Sequence, residues 1–570
     1  MCLKSPKYLF GVLSAVVAVA APCGTAAWAQ TAQQELQQRQ APGNILDKYF
    51  ELEDRQRFED FFGKPPVNKL EGLEEDAPAG KSAGPTFLVN RIELTTSEVL
   101  SDEELASVTE NYEGQRLTLS ELRRIVDDFK ALYDSKGFIT SRAILPPQKI
   151  RGGVVRVQLI EGRIGGIILE DSQYTLDKYL MWALDIEEGE ILSAREIEER
   201  LIFFNKTHHS VRVGARLSPG EEADTTDLNL RVAEAPRFSA NLYVDNLGST
   251  STGIWRRGAT FQNNSVVGFD DQIIAGLTAT EGSLSGFISY DFPFTPNGTR
   301  TRLLYSRGSQ DIVGGAFAEL DIEGRSEFFS AELTQPIFVT KDWSIDLDAE
   351  YSRNYSESDV VGVLQENQVR KLVLGLNVAR LDSQGAWLGD LHVHRIIGES
   401  SINDGPTTRD LFYKGTVNLT RYQTFSQGTT VVGRVAAQFT KDELLPVAEQ
   451  FQLGGSNNVG YESSEFSGDN GYAVSLEVQR DLPLPRYLPE YMSNTNFVLY
   501  GQLQHGGSFP FRAGDDGIRR EDFASSASIG LRANILSRGF IDLKVVQHLD
   551  GIHDDRARDT TVLFTGQISF

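Results

Sequence analysis

The last stretch of the chain is Thr560-Thr561-Val562-Leu563-Phe564-Thr565-Gly566-Gln567-Ile568-Ser569-Phe570, and its apolar and polar side chains alternate. In an extended strand the apolar residues would share one face and the polar residues the other. A soluble sheet can produce this alternation. A bacterial outer-membrane β-barrel produces both the alternation and the terminal aromatic residue, because each strand has lipid on one side and a wet lumen on the other. The stretch therefore predicts a membrane barrel whose last strand ends at Phe570.

The other end of the chain predicts export. Lys4 and Lys7 form a charged start before an apolar stretch of residues 8–21, and Ala27-Trp28-Ala29 gives the small-x-small pattern of a cleavage site. The apolar stretch is too short to cross a bilayer comfortably as a helix. Residues 1–29 are therefore interpreted as a secretory signal peptide.

Both cysteines of the chain, Cys2 and Cys23, lie within this signal. A lipoprotein modified at Cys23 is an alternative, but Pro22 directly before it is unfavourable for that processing. With the signal removed, the chain would enter an oxidising compartment with no cysteine and no disulfide.

The composition suits a barrel and argues against nucleic-acid binding. The chain has 55 Lys and Arg against 79 Asp and Glu, a formal net charge of −24, whereas a nucleic-acid site needs a basic face. No apolar run of about 20 residues follows the signal, so we expect no transmembrane helix. The 52 glycines, 32 phenylalanines and 18 tyrosines suit many turns and aromatic girdles. Because no catalytic or phosphate-binding motif occurs, we expect no enzyme and no cofactor.

The chain divides into five segments after the signal. Residues 30–63 begin Gln-rich and place apolar residues at roughly helical spacings, which predicts an amino-terminal helical segment. Residues 64–86 are rich in Pro, Gly, Ala and charge, which predicts a linker. Residues 87–162, the first unit, and residues 163–236, the second unit, repeat one β-α-α-β-β pattern. Residues 237–570 form the predicted barrel.

Helix start signals support the two units. In the first unit, Ser101 with Glu104 and Thr118 with Glu121 form capping-box patterns, and Gly137 ends the second helix. Its strands are predicted at residues 87–94, 139–145 and 154–160. For the second unit the prediction is strands at residues 164–170, 211–217 and 226–232, with helices at residues 175–184 and 193–206.

Beyond residue 237 the amphipathic-helix pattern disappears, and alternating strands are separated by turn clusters. The pattern predicts sixteen antiparallel strands. They start near residues 237, 253, 271, 283, 299, 324, 342, 368, 386, 408, 428, 470, 494, 522, 538 and 560.

The connections between these strands alternate in length. Short turns at residues 292–298, 383–385 and 536–539 alternate with longer polar segments at residues 308–324, 355–368 and 398–408. This alternation predicts short periplasmic turns and long extracellular loops. The longest connection, residues 441–470, links the eleventh and twelfth strands.

Several motifs resemble one family. The first unit carries a pattern spread over Tyr133, Gly137, Pro146, Gln148, Glu161 and Gly162. It resembles a POTRA domain, a periplasmic polypeptide-binding module. The segment from Asp245 to Gly253 resembles the first barrel hairpin of outer-membrane transporters of two-partner secretion systems, the haemolysin and haemagglutinin activator-secretion type. Residues of the long connection resemble the sixth extracellular loop of that family: Gly454, Gly455, Val459, Gly460, Tyr461, Gly468, Asp469 and Gly471.

The resemblance implies an α+β periplasmic part of two POTRA domains before a sixteen-stranded barrel in the outer membrane. It implies that the POTRA domains bind an unfolded secreted client, a large β-helical exoprotein, which then passes through the barrel to the cell surface. Strand 139–145 and helix 118–136 are the expected groove, since an extended client can add a strand to a sheet edge. The family also suggests that residues 30–63 plug the lumen at rest, and that the barrel-assembly machinery recognises Phe570.

Two other functions are compatible with a barrel. A related factor that inserts other barrels into the membrane usually carries more POTRA domains, so two units argue against it. A passive porin would lack the periplasmic units. The expected partners are the secreted polypeptide client, outer-membrane lipid and the barrel-assembly machinery, and no nucleic acid is expected.

One position departs from the family pattern. The loop normally reads Val-Arg-Gly followed by an aromatic residue, whereas here Val459 stands where the arginine belongs. In the family that arginine pairs with an aspartate of the thirteenth strand, and His505 lies near the aspartate position. Losing both charges costs less than leaving one buried and unpaired. We therefore expect the loop to enter the lumen through other contacts, with His505 as the facing residue.

Two clusters contain residue types that bind metals. His392 and His394 would share one strand face, which is geometrically able to bind a metal, but no third ligand has a compelling position. Residues 550–559 are acidic but lack the ligand spacing of a calcium loop. We interpret them as lumen-facing polar residues and as a solvated surface loop, respectively.

Overall fold

The computed structural model describes residues 86–403, 405–425, 428–441, 445–463, 465–483, 495–510, 521–536, 538–549 and 560–570. The predicted signal peptide, the helical segment of residues 30–63 and the linker up to residue 85 lie outside the described residues.

The first unit has a three-stranded sheet in the order β2-β5-β4, with β2 parallel and β4 antiparallel to β5. A separate ribbon pairs β1 with β3. The elements are β1 (Thr86–Leu88), β2 (Arg91–Leu94), α1 (Asp102–Thr109), β3 (Arg116–Thr118), α2 (Leu119–Ser135), β4 (Arg142–Ile144) and β5 (Val154–Ile160).

The predicted strand of residues 87–94 is divided in two. Val89 N donates to Gln115 O at 2.9 Å, whereas Asn90 N donates to Gly153 O at 2.7 Å, so the chain changes its partner between these residues. Strand β4 is also shorter than the prediction of residues 139–145, because Ser141 N donates to Phe138 O in a turn.

Both predicted capping boxes of the first unit are present, at Ser101 and Thr118. Helix α2 packs its buried stripe against the sheet, which fixes the core of the unit. The stripe consists of Leu122, Ile125, Phe129 and Tyr133.

The second unit repeats the arrangement. Its sheet has the order β6-β8-β7, with β6 parallel and β7 antiparallel to β8, so that β7 is an edge strand. The predicted element order is confirmed. The elements are β6 (Arg163–Glu170), α3 (Asp177–Leu184), α4 (Ala194–Thr207), β7 (Val211–Pro219) and β8 (Thr225–Glu234).

Sixteen antiparallel strands close into a barrel through the pair β26 and β9. Each predicted start lies close to an observed one. The strands are β9 (Phe238–Asp245), β10 (Arg256–Asn264), β11 (Gln272–Ala279), β12 (Ser283–Pro293), β13 (Arg300–Asp311), β14 (Ile322–Val339), β15 (Trp343–Val360), β16 (Val363–Asp382), β17 (Gly385–Ile402), β18 (Thr408–Phe425), β19 (Thr429–Phe439), β22 (Asn470–Leu482), β23 (Asn496–Phe509), β24 (Asp522–Ile535), β25 (Gly539–His548) and β26 (Thr560–Ser569). Two short strands, β20 (Phe451–Leu453) and β21 (Phe466–Gly468), pair within the connection between β19 and β22.

The terminal strand has the predicted alternation. Val562, Ile568 and Phe570 are exposed on the outer face of the barrel, with 67% of Phe570 accessible. Among the described residues, no helix is long and apolar enough to cross a membrane.

Two predicted loops are strands instead. Residues 355–368 contain only a two-residue turn, Val361-Gly362, because β15 has 18 residues and β16 has 20. Similarly, β17 continues to Ile402 and β18 begins at Thr408. A membrane strand needs about 9 to 11 residues, so the wall continues beyond the bilayer. There both faces meet water, the apolar alternation ends, and the sequence resembles a loop.

The second unit lies against one end of the barrel. Lys206 Nζ of α4 donates to Lys341 O in the β14–β15 turn at 2.9 Å. Leu176 N donates to Gly268 O in the β10–β11 turn at 3.0 Å. The connection between β19 and β22 starts and ends at the opposite end.

Candidate functional site in the barrel lumen

The connection between β19 and β22 is here called the lumen loop (residues 440–469), and its described residues, 440–441, 445–463 and 465–469, fold into the barrel. Its ribbon of β20 and β21 contributes to a buried apolar cluster with the barrel wall. The cluster contains Phe451, Leu453, Tyr461, Ala473 and Ala524. The loop therefore packs as an ordered element across the lumen.

The tip of the loop is held by β24 and β25 through neutral groups. Asn458 is fully buried; its Nδ2 donates to Ala524 O at 3.1 Å, and Ser526 Oγ donates to its Oδ1 at 2.6 Å. Tyr461 OH donates to Ser525 O at 3.2 Å. Together with the contact between Gly460 and His548, these contacts are here called the tip anchor.

Gly460 lets the loop approach the wall closely. A Cβ at this position would lie 2.8 Å from the Cβ of Ser526 and 3.2 Å from Cδ2 of His548. The ring of His548 donates from Nε2 to Gly460 O and stacks on Tyr461, with 4.6 Å between ring centroids. A larger residue at position 460 would displace this stack.

The other motif residues shape the base of the loop. Gly454 has φ of 151°, and a Cβ there would lie 2.1 Å from Glu462 O, so the two sides of the loop meet at Gly454. Asp469 is buried, and its Oδ1 accepts from Leu445 N at 2.7 Å. Of the remaining predicted residues, Gly468 ends β21 and Gly471 lies in β22.

The prediction that His505 faces Val459 is wrong. His505 lies on the outer face of β23, where its ring hydrogen-bonds Tyr472 OH at 3.1 Å and Ser525 Oγ at 2.8 Å. The neighbouring Gln504 points into the lumen and accepts from Val459 N through its Oε1 at 3.0 Å. A shift of one residue along a strand changes the face, so the contact belongs to Gln504.

A second set of contacts, the charged anchor, was missed from the sequence. Glu449 of the loop is buried, and its carboxylate lies 2.8 Å from Lys414 Nζ of β18 and 3.5 Å from Lys371 Nζ of β16. Lys414 Nζ also donates to Glu449 O at 2.8 Å. The sequence contained one signal for this anchor: Lys371 and Lys414 occupy lumen-facing positions of strands, and a buried lysine needs a charged or polar partner.

The histidine pair has other partners. The two ring nitrogens of His392 each lie 3.3 Å from a carboxylate oxygen, of Asp348 and of Asp390. His394 Nε2 lies 3.0 Å from Thr416 Oγ1. In the parts of the chain that the structure describes, no group of three or more His, Cys, Asp or Glu side chains could hold a metal ion. Residues 550–559 lie outside those parts.

Motif residues of the first unit close its own fold. Gln148 exchanges two hydrogen bonds with the backbone of Arg156, at 2.7 and 2.8 Å, next to the turn that contains Pro146. Glu161 accepts from Tyr133 OH at 3.3 Å. These residues of the POTRA-like pattern thus stabilise the fold of the first unit.

Two motif glycines join the units. Gly137 has φ of 92°, and its carbonyl accepts from Ala194 N of the second unit at 2.8 Å. A Cβ on Gly162 would lie 2.3 Å from Thr140 Oγ1, so only glycine fits where the chain passes between the units. The two units are therefore packed against each other at these positions.

A buried ionic joint connects the second unit to the barrel. Asp270, in the β10–β11 turn, accepts from Ser210 N at 2.8 Å and from Arg300 Nη1 at 2.8 Å. Burial alone would raise the pKa of Asp270, but the Arg300 guanidinium holds it at about 2. Arg300 also pairs with Asp291. Nothing in the sequence pattern indicated this joint, because its members lie far apart in the chain.

His208, beside this joint, is held neutral. Its Nε2 accepts from Tyr179 OH at 2.7 Å, and its Nδ1 donates to Phe204 O at 2.8 Å. Burial lowers the pKa of His208 to about 4. The second unit thus depends on an uncharged imidazole.

The barrel and the lumen loop match a known family. A family model described as haemolysin secretion/activation protein ShlB/FhaC/HecB matches residues 224–532, more than half of the chain. The chain belongs to this family. A second model, the ShlB-type POTRA domain, matches residues 87–162. The family consists of secretion transporters of the outer membrane, and the predicted resemblance is confirmed.

Relatives and solved structures agree with this assignment. The chain is 23% identical to a heme/hemopexin transporter protein HuxB of Haemophilus influenzae, over 82% of this chain and 84% of the relative. It is 26% identical to the outer membrane transporter CdiB of Dickeya dadantii, over 68% and 71%. The solved structure of CdiB from Escherichia coli has the same fold, with a TM-score of 0.67 at 20% identity, covering 94% of this chain and 98% of that one.

The fold and the family together place the protein. It is an outer-membrane transporter of the two-partner secretion type, with its POTRA domains in the periplasm and its barrel in the membrane. Transporters of this type act with a secreted exoprotein partner. The end of the barrel that contacts the second unit is therefore the periplasmic end, and the lumen loop enters from outside.

Proposed function

We propose that the protein binds its unfolded client along the sheet edges of the two units and passes it through the barrel when the lumen loop leaves its anchors. The observation that carries this proposal is the loop itself. It lies across the lumen, and it is held by one set of neutral contacts and one set of buried charges.

The client surface extends beyond the groove expected from the sequence. Strand β4 is an edge strand next to α2, but it has only three residues. Strand β7 is an edge strand of nine residues, and its backbone at Val213 is already bonded to the Asn205 side chain of α4, so the edge available to a client lies beyond Val213. An extended polypeptide adds to a sheet edge through backbone hydrogen bonds and tolerates varied side chains. We therefore propose β7 as the longer docking edge, with β4 and α2 as the first contact.

Other partners follow from the family and from the barrel surface. We propose that outer-membrane lipid contacts the exposed apolar side chains of the barrel wall, and that the barrel-assembly machinery recognises the exposed Phe570. Residues 30–63 are proposed as a resting plug. The client is proposed to be a large β-helical exoprotein; the name of the relative HuxB points to heme or hemopexin as cargo chemistry to test first.

Deleting residues 87–162 tests the role of the first unit. Secretion of the client should be abolished while the barrel remains folded, because the unit has its own core and its own caps. Client secretion into the medium and heat-modifiable mobility of the barrel would be measured together. Undiminished secretion would refute a client-binding role for this unit.

Crosslinking tests the β7 edge. A photoreactive residue at Arg216, on the exposed face of β7, should crosslink to a client stalled in transport. The matched control is Arg231, which is also exposed but lies on the central strand β8. Equal crosslinking at both positions would mean that the client does not align along the edge.

A further inference from the structure

A groove of about 790 Å³ crosses the outer wall of the barrel between β9 and β14. Small outward-facing residues form its floor: Ala240, Ala259, Ala275 and Gly286. Large apolar side chains form its walls: Leu242, Phe261, Leu277, Leu284, Ile288 and Tyr305. The groove is therefore a depression in the surface that faces the membrane.

The strand register explains the depression. Across neighbouring strands, one row contains Leu242, Ala259, Leu277 and Gly286. The row beside it alternates in the opposite sense, with Ala240, Phe261, Ala275 and Ile288. Each small residue lies beside large ones, so the floor is sunken by the length of a side chain. Elongated acyl chains fit such a channel, since it buries apolar area on several sides.

Two arginines continue these rows toward the cell exterior. Arg307 of β13 pairs with Gly286 at the end of the first row. Arg325 of β14 is exposed and pairs with Ser309, one row further out. Arg307 has a partner in Glu327 at 3.6 Å, but the two side chains are 64% and 46% exposed, so this pair is weak. Arg325 lies opposite Glu357 of β15 in the strand register. Each guanidinium has five N–H donors, so pairing with one nearby carboxylate leaves donors of both arginines for a phosphate.

The orientation of the barrel places the arginines in the outer leaflet. The opposite ends of β12 and β13 meet in a turn where Gly298 lies against Phe203 and Thr207 of the second unit. That turn is periplasmic. Below the arginines on the same face, Tyr305 and Phe329 begin the apolar belt. The cations thus lie at the level of the outer head groups, with the apolar groove directly beneath and beside them.

We propose that this groove binds a phosphorylated glycolipid of the outer leaflet, with acyl chains over the Ala and Gly floor and a phosphate between Arg307 and Arg325. Any lipid could cover the apolar floor. The two arginines add a preference for phosphate, which guanidinium groups bind with charge-assisted hydrogen bonds. The bound lipid would lie beside the pairing of β26 with β9, which joins five residue pairs and closes the barrel.

The consequence is lipid-dependent stability of the barrel. The full-length protein, purified in detergent, would be titrated with bisphosphorylated lipid A and, separately, with zwitterionic phosphatidylethanolamine. The temperature at which heat-modifiable mobility is lost should rise more with lipid A than with phosphatidylethanolamine, because both lipids cover the apolar floor but only lipid A offers the additional phosphate contacts to the arginines. Equal rises with both lipids would overturn the phosphate site.

Two variants test the two halves of the site. Arg307→Gln with Arg325→Gln should weaken lipid A binding about 25-fold, since one cation at a membrane surface contributes about fivefold. Gly286→Leu should weaken binding by filling the groove. The matched control, Arg353→Gln, removes an exposed arginine of β15 that hydrogen-bonds Gln368, and it should bind lipid A like the wild type.

The charge-preserving variant Arg307→Lys with Arg325→Lys should retain binding. If the glutamine variants fail to assemble, lipid analysis of the wild-type protein still decides: phosphorylated glycolipid should remain bound after detergent exchange. Its loss on exchange would overturn the proposal, as would full binding by the glutamine variants. A dimer that covers the groove and binds no lipid A would also overturn it.

Discussion

Glu449→Gln should release the base of the lumen loop. The substitution keeps the shape of the side chain and removes the charge that Lys414 and Lys371 share. Both lysines are largely buried in the barrel wall. After the substitution, the two cations would face each other without the carboxylate between them.

The magnitude follows from that burial. Removing one partner of a buried ion pair costs about 3 to 5 kcal/mol, because the remaining charge is left without compensation. Here the lost interaction exists only while the loop is in the lumen. A cost of about 3 kcal/mol therefore shifts the equilibrium between the anchored and released loop by about 100-fold or more.

Channel conductance measures this shift. The purified variant in planar bilayers should be open for a larger fraction of time than the wild type, and a protease added from outside should cut the lumen loop faster. Glu462→Gln is the matched control. Its carboxylate lies in the same loop and accepts from Thr250 N at 3.2 Å, but it is only partly buried, so its loss should have a smaller effect.

A triple variant separates charge from shape. Glu449→Gln combined with Lys371→Met and Lys414→Met removes the whole ionic group, and such neutral replacements often cost little. Its conductance should return toward that of the wild type. Unchanged conductance in the single variant, or no recovery in the triple variant, would refute the argument that buried charge holds the loop.

Three further changes have defined outcomes. Val459→Arg should reduce secretion, and adding Gln504→Asp should recover much of the loss. A double-mutant cycle on the thermal stability of the barrel should give a coupling energy of about 1 to 3 kcal/mol between the two positions. Additive effects would mean that the two side chains do not contact each other. Deleting Phe570 should reduce barrel assembly, measured as heat-modifiable protein in membranes, through lost recognition, because an exposed interfacial residue contributes little stability. The free energy of unfolding of the second unit, measured in urea titrations, should fall by up to about 3 kcal/mol as the pH falls from about 6.5 to about 4. The reason is that His208 can bind a proton in the unfolded state at a pH where the folded state excludes it. In His208→Gln this pH dependence should disappear.

The architecture was predictable because local pattern decides it. Lipid on one side and water on the other imposes a period of two, so all sixteen strands could be placed near their observed starts. The period-two pattern did not identify the strand segments that lie beyond the bilayer, where lipid no longer covers one face. Residues 355–368 project beyond the bilayer, both faces of the strands are wet, and nothing in the side chains distinguishes them from a loop.

The candidate site was predictable only in part. The motif from Gly454 to Tyr461 identified the loop that enters the lumen, and in the structure this loop packs against the inner wall of the barrel. The charged anchor was not found, because Glu449 meets Lys371 and Lys414 only after the barrel has closed. A lone inward lysine on a strand has no visible partner in the sequence, and no local spacing connects it to a residue of the loop.

The wrong prediction of His505 as the residue facing Val459 has a different cause, because the alternation along β23 already indicates that Gln504 faces the lumen. Leu499 and Leu503 face lipid, so residue 505 must face outward as well and residue 504 inward. The position of a residue within a motif does not fix the face of a strand, whereas the alternation of side chains along the strand does. With Gln504 at the contact, the tip holds the loop by neutral hydrogen bonds, each contributing about 1 kcal/mol. The buried ions at Glu449 hold it more strongly, so release of the loop should begin at the tip and end at the charged anchor.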